Sequence, residues 1–123
     1  MDLSDIAPTS MKVAIRHPGT GKETGLIIDV QSLESPVVQK VRREQRDAVL
    51  RTRNRKMTAE EIDEQITDQI VAAIAGWQWN GDASWGGKKL DLTPENVRIV
   101  VAAPWVRKQV EEAVADEAGF FSN

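Results

Sequence analysis

Hydrophobic and polar positions alternate near the start of the chain, which predicts two β-strands. Residues 11–16 alternate except at Ala14, and residues 26–30 form a short run rich in β-branched side chains. The segment between them, 17–25, holds three Gly and one Pro and is typical of a loop. We therefore expect a β-hairpin over residues 11–30, after a flexible N-terminal arm over residues 1–10. A lone hairpin is marginal in water, so it should lie on helices or pair with another chain.

From residue 36 onwards the pattern changes to a helical period. Ser35 and Pro36 form an N-cap followed by Pro at the first helical position. Thr58 and Glu61 form a capping box, and Thr93 begins another Thr-Pro start signal. The expected helices span residues 36–55, 58–77, 94–103 and 104–118. The predicted fold class is α+β, mainly α, with an N-terminal β-hairpin followed by about four helices in a single domain over residues 11–123.

The second predicted helix carries the longest apolar stripe in the chain. Ile62, Ile66, Ile70, Ile74 and Trp77 follow at steps of four and three, so they share one helical face. Fully burying each Ile contributes about 1.5–3 kcal/mol. We therefore expect this helix to be the central core helix.

Large aromatic side chains are few and unevenly placed. The chain has no Tyr and two Phe, and all four Trp lie between residues 77 and 105. Trp85 lies in a Gly-rich loop, where an indole either folds back onto the domain or contacts a partner. Phe120 and Phe121 follow Gly119, where they either pack on the last helix or remain exposed.

Composition removes several classes of chemistry from consideration. The chain has no Cys and one His, so no disulfide, thiolate or common zinc site is expected. Gly21 and Lys22 do not form a P-loop, because Arg16 and Glu23 occupy the positions that require Gly and Ser or Thr. No apolar run approaches the roughly 20 residues of a membrane span, and the polar start lacks the features of a signal peptide. A cytoplasmic protein without metal or cofactor is expected.

Charge is unevenly distributed, although the net charge is only −3. Residues 40–56 hold eight basic and two acidic side chains, while residues 60–68 hold five acidic and no basic ones. Arg42 and Arg46 lie in the basic segment, which could bind nucleic-acid phosphates. Against this, no aromatic residue is interleaved with the arginines and the whole chain is acidic. A solvated face or a charged protein contact is therefore the favoured interpretation of the segment.

Seven short motifs follow one another over nearly the whole chain after residue 10. They are His-Pro-x-Thr-Gly at 17–21, Thr-Gly at 24–25, Ser-Pro at 35–36, Thr-Ala-Glu-Glu at 58–61 in a helix ending in Gly-Trp at 76–77, Leu-Thr-Pro-Glu-Asn at 92–96, Pro-Trp-Val-Arg-Lys-Gln-Val at 104–110 and Gly-Phe-Phe at 119–121. In this order and spacing they resemble the tail assembly chaperones of long-tailed bacteriophages (siphophages) and prophages. The Trp- and Gly-rich loop after Trp79 departs from that pattern, in which a more acidic loop is expected.

The resemblance implies a non-catalytic chaperone that binds the tape-measure protein and keeps it soluble until tail-tube subunits polymerise along it. It also implies self-association, a location in the cytoplasm of the bacterial host, absence from the mature virion and, in many members, a longer frameshifted form. Apolar grooves and exposed aromatics would suit a long helical client. We therefore expect two Trp in the core, Trp77 and Trp105, and a partner-binding set of Trp79, Trp85, Phe120, Phe121, Arg42 and Arg46.

Two alternatives from other classes remain open. A structural phage tail or connector protein would stay in the finished particle, and a nucleic-acid-binding module would use the Arg-rich helix at residues 40–56. An enzyme is the weakest hypothesis, because acid–base chemistry would depend on carboxylates alone.

Overall fold

The computed structural model describes residues 1–6, 10–51, 56–116 and 119–120. They form a single small α+β domain, mainly α, which confirms the predicted fold class. A short 3-10 helix, Leu3–Asp5, precedes the main elements. These elements are β1 (Met11–Arg16), β2 (Glu23–Val30), α1 (Pro36–Arg51), α2 (Ala59–Ala73), β3 (Ile74–Trp79), α3 (Pro94–Val101) and α4 (Pro104–Val114).

The predicted hairpin is present, and it belongs to a three-stranded antiparallel sheet of order β1-β2-β3. The strand β3 corrects the predicted helix over residues 58–77, because α2 ends at Ala73. After Ala73 the chain continues as a strand, in which Trp77 lies opposite Ile28 of β2. The free edge of β2 gives the backbone of residues 74–79 hydrogen-bonding partners that the sequence does not reveal, so pairing replaces the helical period.

The other helix bounds are close to the predictions. Within the described residues α1 ends at Arg51, and residues 52–55 of the predicted helix lie outside the described part of the chain. Thr58 and Thr93 are N-caps as expected, each accepting a hydrogen bond from a backbone N–H at 3.1 Å. The helices α3 and α4 end at Val101 and Val114, a few residues before the predicted ends.

The core lies between the sheet and the helices α2, α3 and α4. It is built mainly from β-branched side chains, and its fully buried members include Ile15, Ile28, Val30, Val38, Val100, Val101, Val106, Val110 and Phe120. The predicted isoleucine stripe is only half buried. Ile70 and Ile74 are 5% and 7% exposed, whereas Ile62 and Ile66 are 47% and 40% exposed. The first half of α2 therefore extends beyond the core.

The helix α1 lies at the margin of the domain and chiefly contacts α2. Val38 is its only buried residue. Further along, the contact is polar. The side chain of Gln45 donates to the backbone oxygen of Gln65 at 2.9 Å and accepts from the side chain of Gln69 at 2.8 Å. This thin interface matches the thin apolar stripe in the sequence and leaves most of α1 in solvent.

Candidate functional site

A cavity of about 440 Å³ lies between the hairpin loop and the loop that follows β3. Three of the four indoles line it, those of Trp79, Trp85 and Trp105, together with Leu26. The remaining lining residues are mostly polar, namely His17, Thr20, Lys22, Glu23, Thr24, Asp82, Ala83 and Ser84. We call this feature the Trp cavity. Its size lies within the range of small-ligand pockets in proteins.

Two close backbone contacts hold the loop after β3 against the sheet. The N–H of Asn80 donates to the backbone oxygen of Gly25 at 2.9 Å, and a Cβ at Gly25 would lie 2.5 Å from the oxygen of Asn80. Gly25 also has a φ of 101°, which favours glycine. At the other side of the loop, the Lys89 ammonium donates to the backbone oxygens of Trp79 and Gly81 at 2.7 and 2.8 Å.

Trp85 is held by a tight turn. Its backbone N–H and oxygen exchange hydrogen bonds with Lys88 at 2.8 and 3.2 Å, and Gly86 and Gly87 between them both have positive φ. Two glycines at these positions are typical of a two-residue hairpin turn. The Gly-rich loop around Trp85 thus contains an ordered turn that places Trp85 at the cavity wall.

Burial does not separate the four Trp into core and partner-facing pairs. All four are half-buried and pack against the core. Trp77 and Trp79 contact each other edge to face at 5.4 Å, and the indole N–H of Trp77 donates to the oxygen of Leu90 at 3.0 Å. The predicted partner contacts of Trp79 and Trp85 remain predictions, and Trp105 belongs to the same cavity as both.

The prediction that Phe120 presents an exposed aromatic ring is wrong. Its side chain is fully buried in the core, and the N–H of the preceding Gly119 donates to the Asp116 carboxylate at 3.1 Å. The burial follows from the small number of large groups in this chain, since Phe120 is the largest side chain in its fully buried core. Phe121 lies outside the described residues.

The hairpin loop forms the polar rim of the Trp cavity. The Nδ1 atom of His17 accepts hydrogen bonds from the backbone N–H groups of Gly19 and Thr20, at 3.0 and 3.1 Å. Because Nδ1 accepts both bonds, it carries no proton in this arrangement. His17 therefore organises the turn, and its ring is exposed.

Arg42 and Arg46 are exposed, as predicted, one turn apart on α1. They line a groove of about 480 Å³ between α1 and α2, together with Gln45, Val49, Gln65 and Gln69. Within residues 1–6, 10–51, 56–116 and 119–120, neither arginine forms an ion pair. Three carboxylates of α2, those of Asp63, Glu64 and Asp68, are engaged by other arginines.

Arginines from α3 and α4 bind those carboxylates. Arg98 contacts Asp68 and also donates to Glu64 at 2.8 Å, while Arg107 binds Asp63 at 2.9 Å and Glu111 at 2.7 Å. The hydrogen bond to Asp68 raises the pKa of Arg98, and the hydrogen bond to Glu111 raises that of Arg107. Both guanidinium groups therefore remain charged and tie α2 to the last two helices.

A second groove, which the sequence did not indicate, runs beside the exposed half of α2. It measures about 490 Å³ and is lined by Asp63, Ile66, Ala102, Pro104, Arg107, Lys108 and Glu111. Ile62 lies one helical turn before Ile66 and extends the apolar surface. We call this feature, including Ile62, the α2 groove. Its residues were missed because the whole isoleucine stripe was assigned to the core.

In the described part of the chain, no group of three or more His, Asp or Glu side chains is arranged to hold a metal ion. In the same residues, no helix combines the length and apolar character needed to cross a membrane.

Comparisons of the chain with protein-family models, with curated proteins and with solved structures found no match.

Proposed function

We propose that this protein is a phage tail assembly chaperone that binds the tape-measure protein through the α2 groove. The observation that carries the proposal is the exposure of Ile62 and Ile66, at 47% and 40%, on a face whose next turns are buried. The resemblance of the ordered motifs to tail assembly chaperones supplies the class of client. This role requires no catalytic group and no cofactor.

The groove suits an amphipathic helix better than an extended strand. Ile62 and Ile66 are separated by one helical turn, so they form a row that can pack between side chains of a second helix. Ala102 and Pro104 form a low opposite wall, and the rim carries both signs of charge from Asp63 and Lys108. Such a rim would fix the register of the client helix, while the apolar floor supplies the affinity.

The expected contribution of these two side chains is modest, which suits a client that must later be released. Fully burying one Ile contributes about 1.5–3 kcal/mol, and each of these is already partly buried. Covering both would therefore add about 1–3 kcal/mol per groove. Firm binding of a long client would then depend on many copies acting along it.

In this role the protein acts in the cytoplasm of the bacterial host, before tail-tube subunits polymerise along the tape-measure protein, and leaves before the virion is complete. A structural tail or connector protein would instead remain in the particle. Mass spectrometry of purified virions separates the two functions, since only a connector would be present in a fixed copy number.

The direct test is capture of the protein by an affinity-tagged tape-measure protein of the same phage during co-expression. We expect the double substitution Ile62→Glu and Ile66→Glu to reduce capture at least tenfold, because two charges would enter the apolar contact. Ile99→Glu is the matched control, since Ile99 is 49% exposed on α3 and lies outside the groove. Equal capture of both variants, with unchanged circular dichroism, would refute the α2 groove as the client site.

A further inference from the structure

We infer that the Trp cavity is a receptor for arginine side chains of α1 from a second copy of this chain, with Arg42 and Arg46 of one protomer entering the cavity of the next. This contact leaves the α2 groove free, so it does not depend on the proposed function.

The donor side of the contact is the exposed face of α1 that carries Arg42 and Arg46. Of the seven described arginines, Arg16, Arg98 and Arg107 each have a carboxylate partner, while the four on α1 have none within the described residues. Three of the five carboxylates of α2, those of Asp63, Glu64 and Asp68, already bind arginines of α3 and α4. The exposed guanidinium groups of Arg42 and Arg46 are therefore open to a carboxylate of another molecule.

The acceptor side is the wall of three indoles. A guanidinium group stacks on Trp more favourably than on other aromatic rings, and the interaction strengthens when solvent is excluded. Trp79, Trp85 and Trp105 line one cavity and are each half-buried, so part of each indole is accessible. Because guanidinium is planar and weakly hydrated, arginine suits this wall better than lysine does.

Charge at the cavity rim favours the same ligand. Asp82 is exposed and forms no ion pair within the described chain, so its carboxylate is available to a guanidinium group. Glu23 lies 3.7 Å from Arg16 and is shared with it. Lys22 also lines the cavity, and its positive charge repels an incoming guanidinium group. Attraction of that group therefore depends mainly on the Asp82 carboxylate.

The two surfaces are different parts of the molecule, so the contact can repeat head to tail. Such contacts close into rings or continue as filaments, depending on the rotation between successive copies. Each protomer would use its own Arg face and its own Trp cavity once. Substitutions can therefore disrupt the Arg face and the Trp cavity separately, and the test uses such variants.

Light scattering and sedimentation of the full chain over a range of concentrations measure the association. We expect the wild-type mass to rise above that of the monomer, and Arg42→Glu with Arg46→Glu, or Asp82→Lys alone, to weaken association at least tenfold. Lys40→Glu with Arg51→Glu is the matched control. These two residues are exposed on the opposite side of the same helix, with the same change of charge.

Mixing the variants tests the direction of the contact. The double arginine variant keeps an intact Trp cavity, and Asp82→Lys keeps an intact Arg face. We expect an equimolar mixture to form a dimer that does not grow further, at concentrations where each variant alone is a monomer. Since Asp82 is exposed, this variant is expected to fold, and circular dichroism verifies that it does.

Three results would overturn the inference. They are a wild-type chain that stays monomeric at all concentrations, variants that associate as strongly as the wild type, and a mixture that forms no dimer. If the double arginine variant instead lost a salt-dependent affinity for DNA while its association was unchanged, α1 would be a phosphate-binding face.

Discussion

The two halves of α2 carry isoleucine on the same face but are held in place by different forces. In the second half, Ile70 and Ala73 are 5% and 0% exposed and pack in the core. In the first half, Ile62 and Ile66 are about half exposed, and the described contacts to α3 and α4 are ionic. Burial holds the second half, whereas charge and hydrogen bonds hold the first.

This difference shows what can be inferred from an amphipathic stripe in a sequence. Periodicity identifies the face of a helix that avoids water, but it does not report how far along the helix the covering elements extend. In this protein the cover ends near Ile66, where the α2 groove begins. The exposed apolar row is therefore a continuation of the core surface, available to a partner.

Isoleucine truncation should separate the two halves most clearly. We expect Ile70→Ala to lower the free energy of unfolding by about 2–5 kcal/mol, because it creates a cavity in packed surroundings. The matched substitution Ile66→Ala should cost less than about 1 kcal/mol, since water already reaches that side chain. Urea denaturation measures both losses of unfolding free energy, provided that the variants and the wild type have equal m-values. Equal losses at the two positions would show that the first half is packed as tightly as the second.

The ion pairs with α3 and α4 should keep the first half of α2 folded. Arg107→Ala removes the pairs with Asp63 and Glu111 and should cost about 1 kcal/mol, as expected for partly exposed pairs. Its larger effect should be faster amide exchange in the first two turns of α2. High salt should reproduce part of that change in the wild type, because screening weakens exposed pairs. Lys108→Ala is the control, since Lys108 forms no ion pair within the described residues. Unchanged exchange in Arg107→Ala would contradict the ionic account.

Local signals in the sequence were sufficient to predict most of the fold. The strand alternation, the caps at Thr58 and Thr93, and the prolines at helix starts depend on neighbouring residues only, so they can be recognised without the tertiary structure. The strand β3 could not be recognised in this way. Trp77 continues the helical spacing of the isoleucines, and only the open edge of β2 makes an extended backbone more favourable.

The candidate surfaces were predictable only in part, because they depend on which elements meet. Trp79 and Trp85 were selected from composition and do share a cavity, but Trp105 joins them from α4, which the sequence alone does not indicate. Phe120 was misassigned because an aromatic pair after a helix contains no information about which ring enters the core. The charged segments of the sequence do not reveal that Arg98 and Arg107, which lie outside both, bind carboxylates of α2.

The smallest expected effect concerns the N-caps of α2 and α3. The hydroxyl groups of Thr58 and Thr93 accept matching hydrogen bonds, from the N–H groups of Glu61 and Asn96. We expect Thr58→Ala to lower the free energy of global unfolding by about 0.5 kcal/mol, and Thr93→Ala by about 1 kcal/mol, within the usual range for lost caps.

The two expected losses differ because the helical turns that follow the two caps differ in burial. The first turn of α3 leads directly into Val97, which is 3% exposed, so fraying there would expose the core. The first turn of α2 leads to Ile62, which water already reaches, so this turn can open without global unfolding. Amide exchange would show the loss in Thr58→Ala as local opening of α2 rather than as a lower global stability. If Thr58→Ala were the more destabilising variant in urea, the first half of α2 would have to be part of the cooperative core.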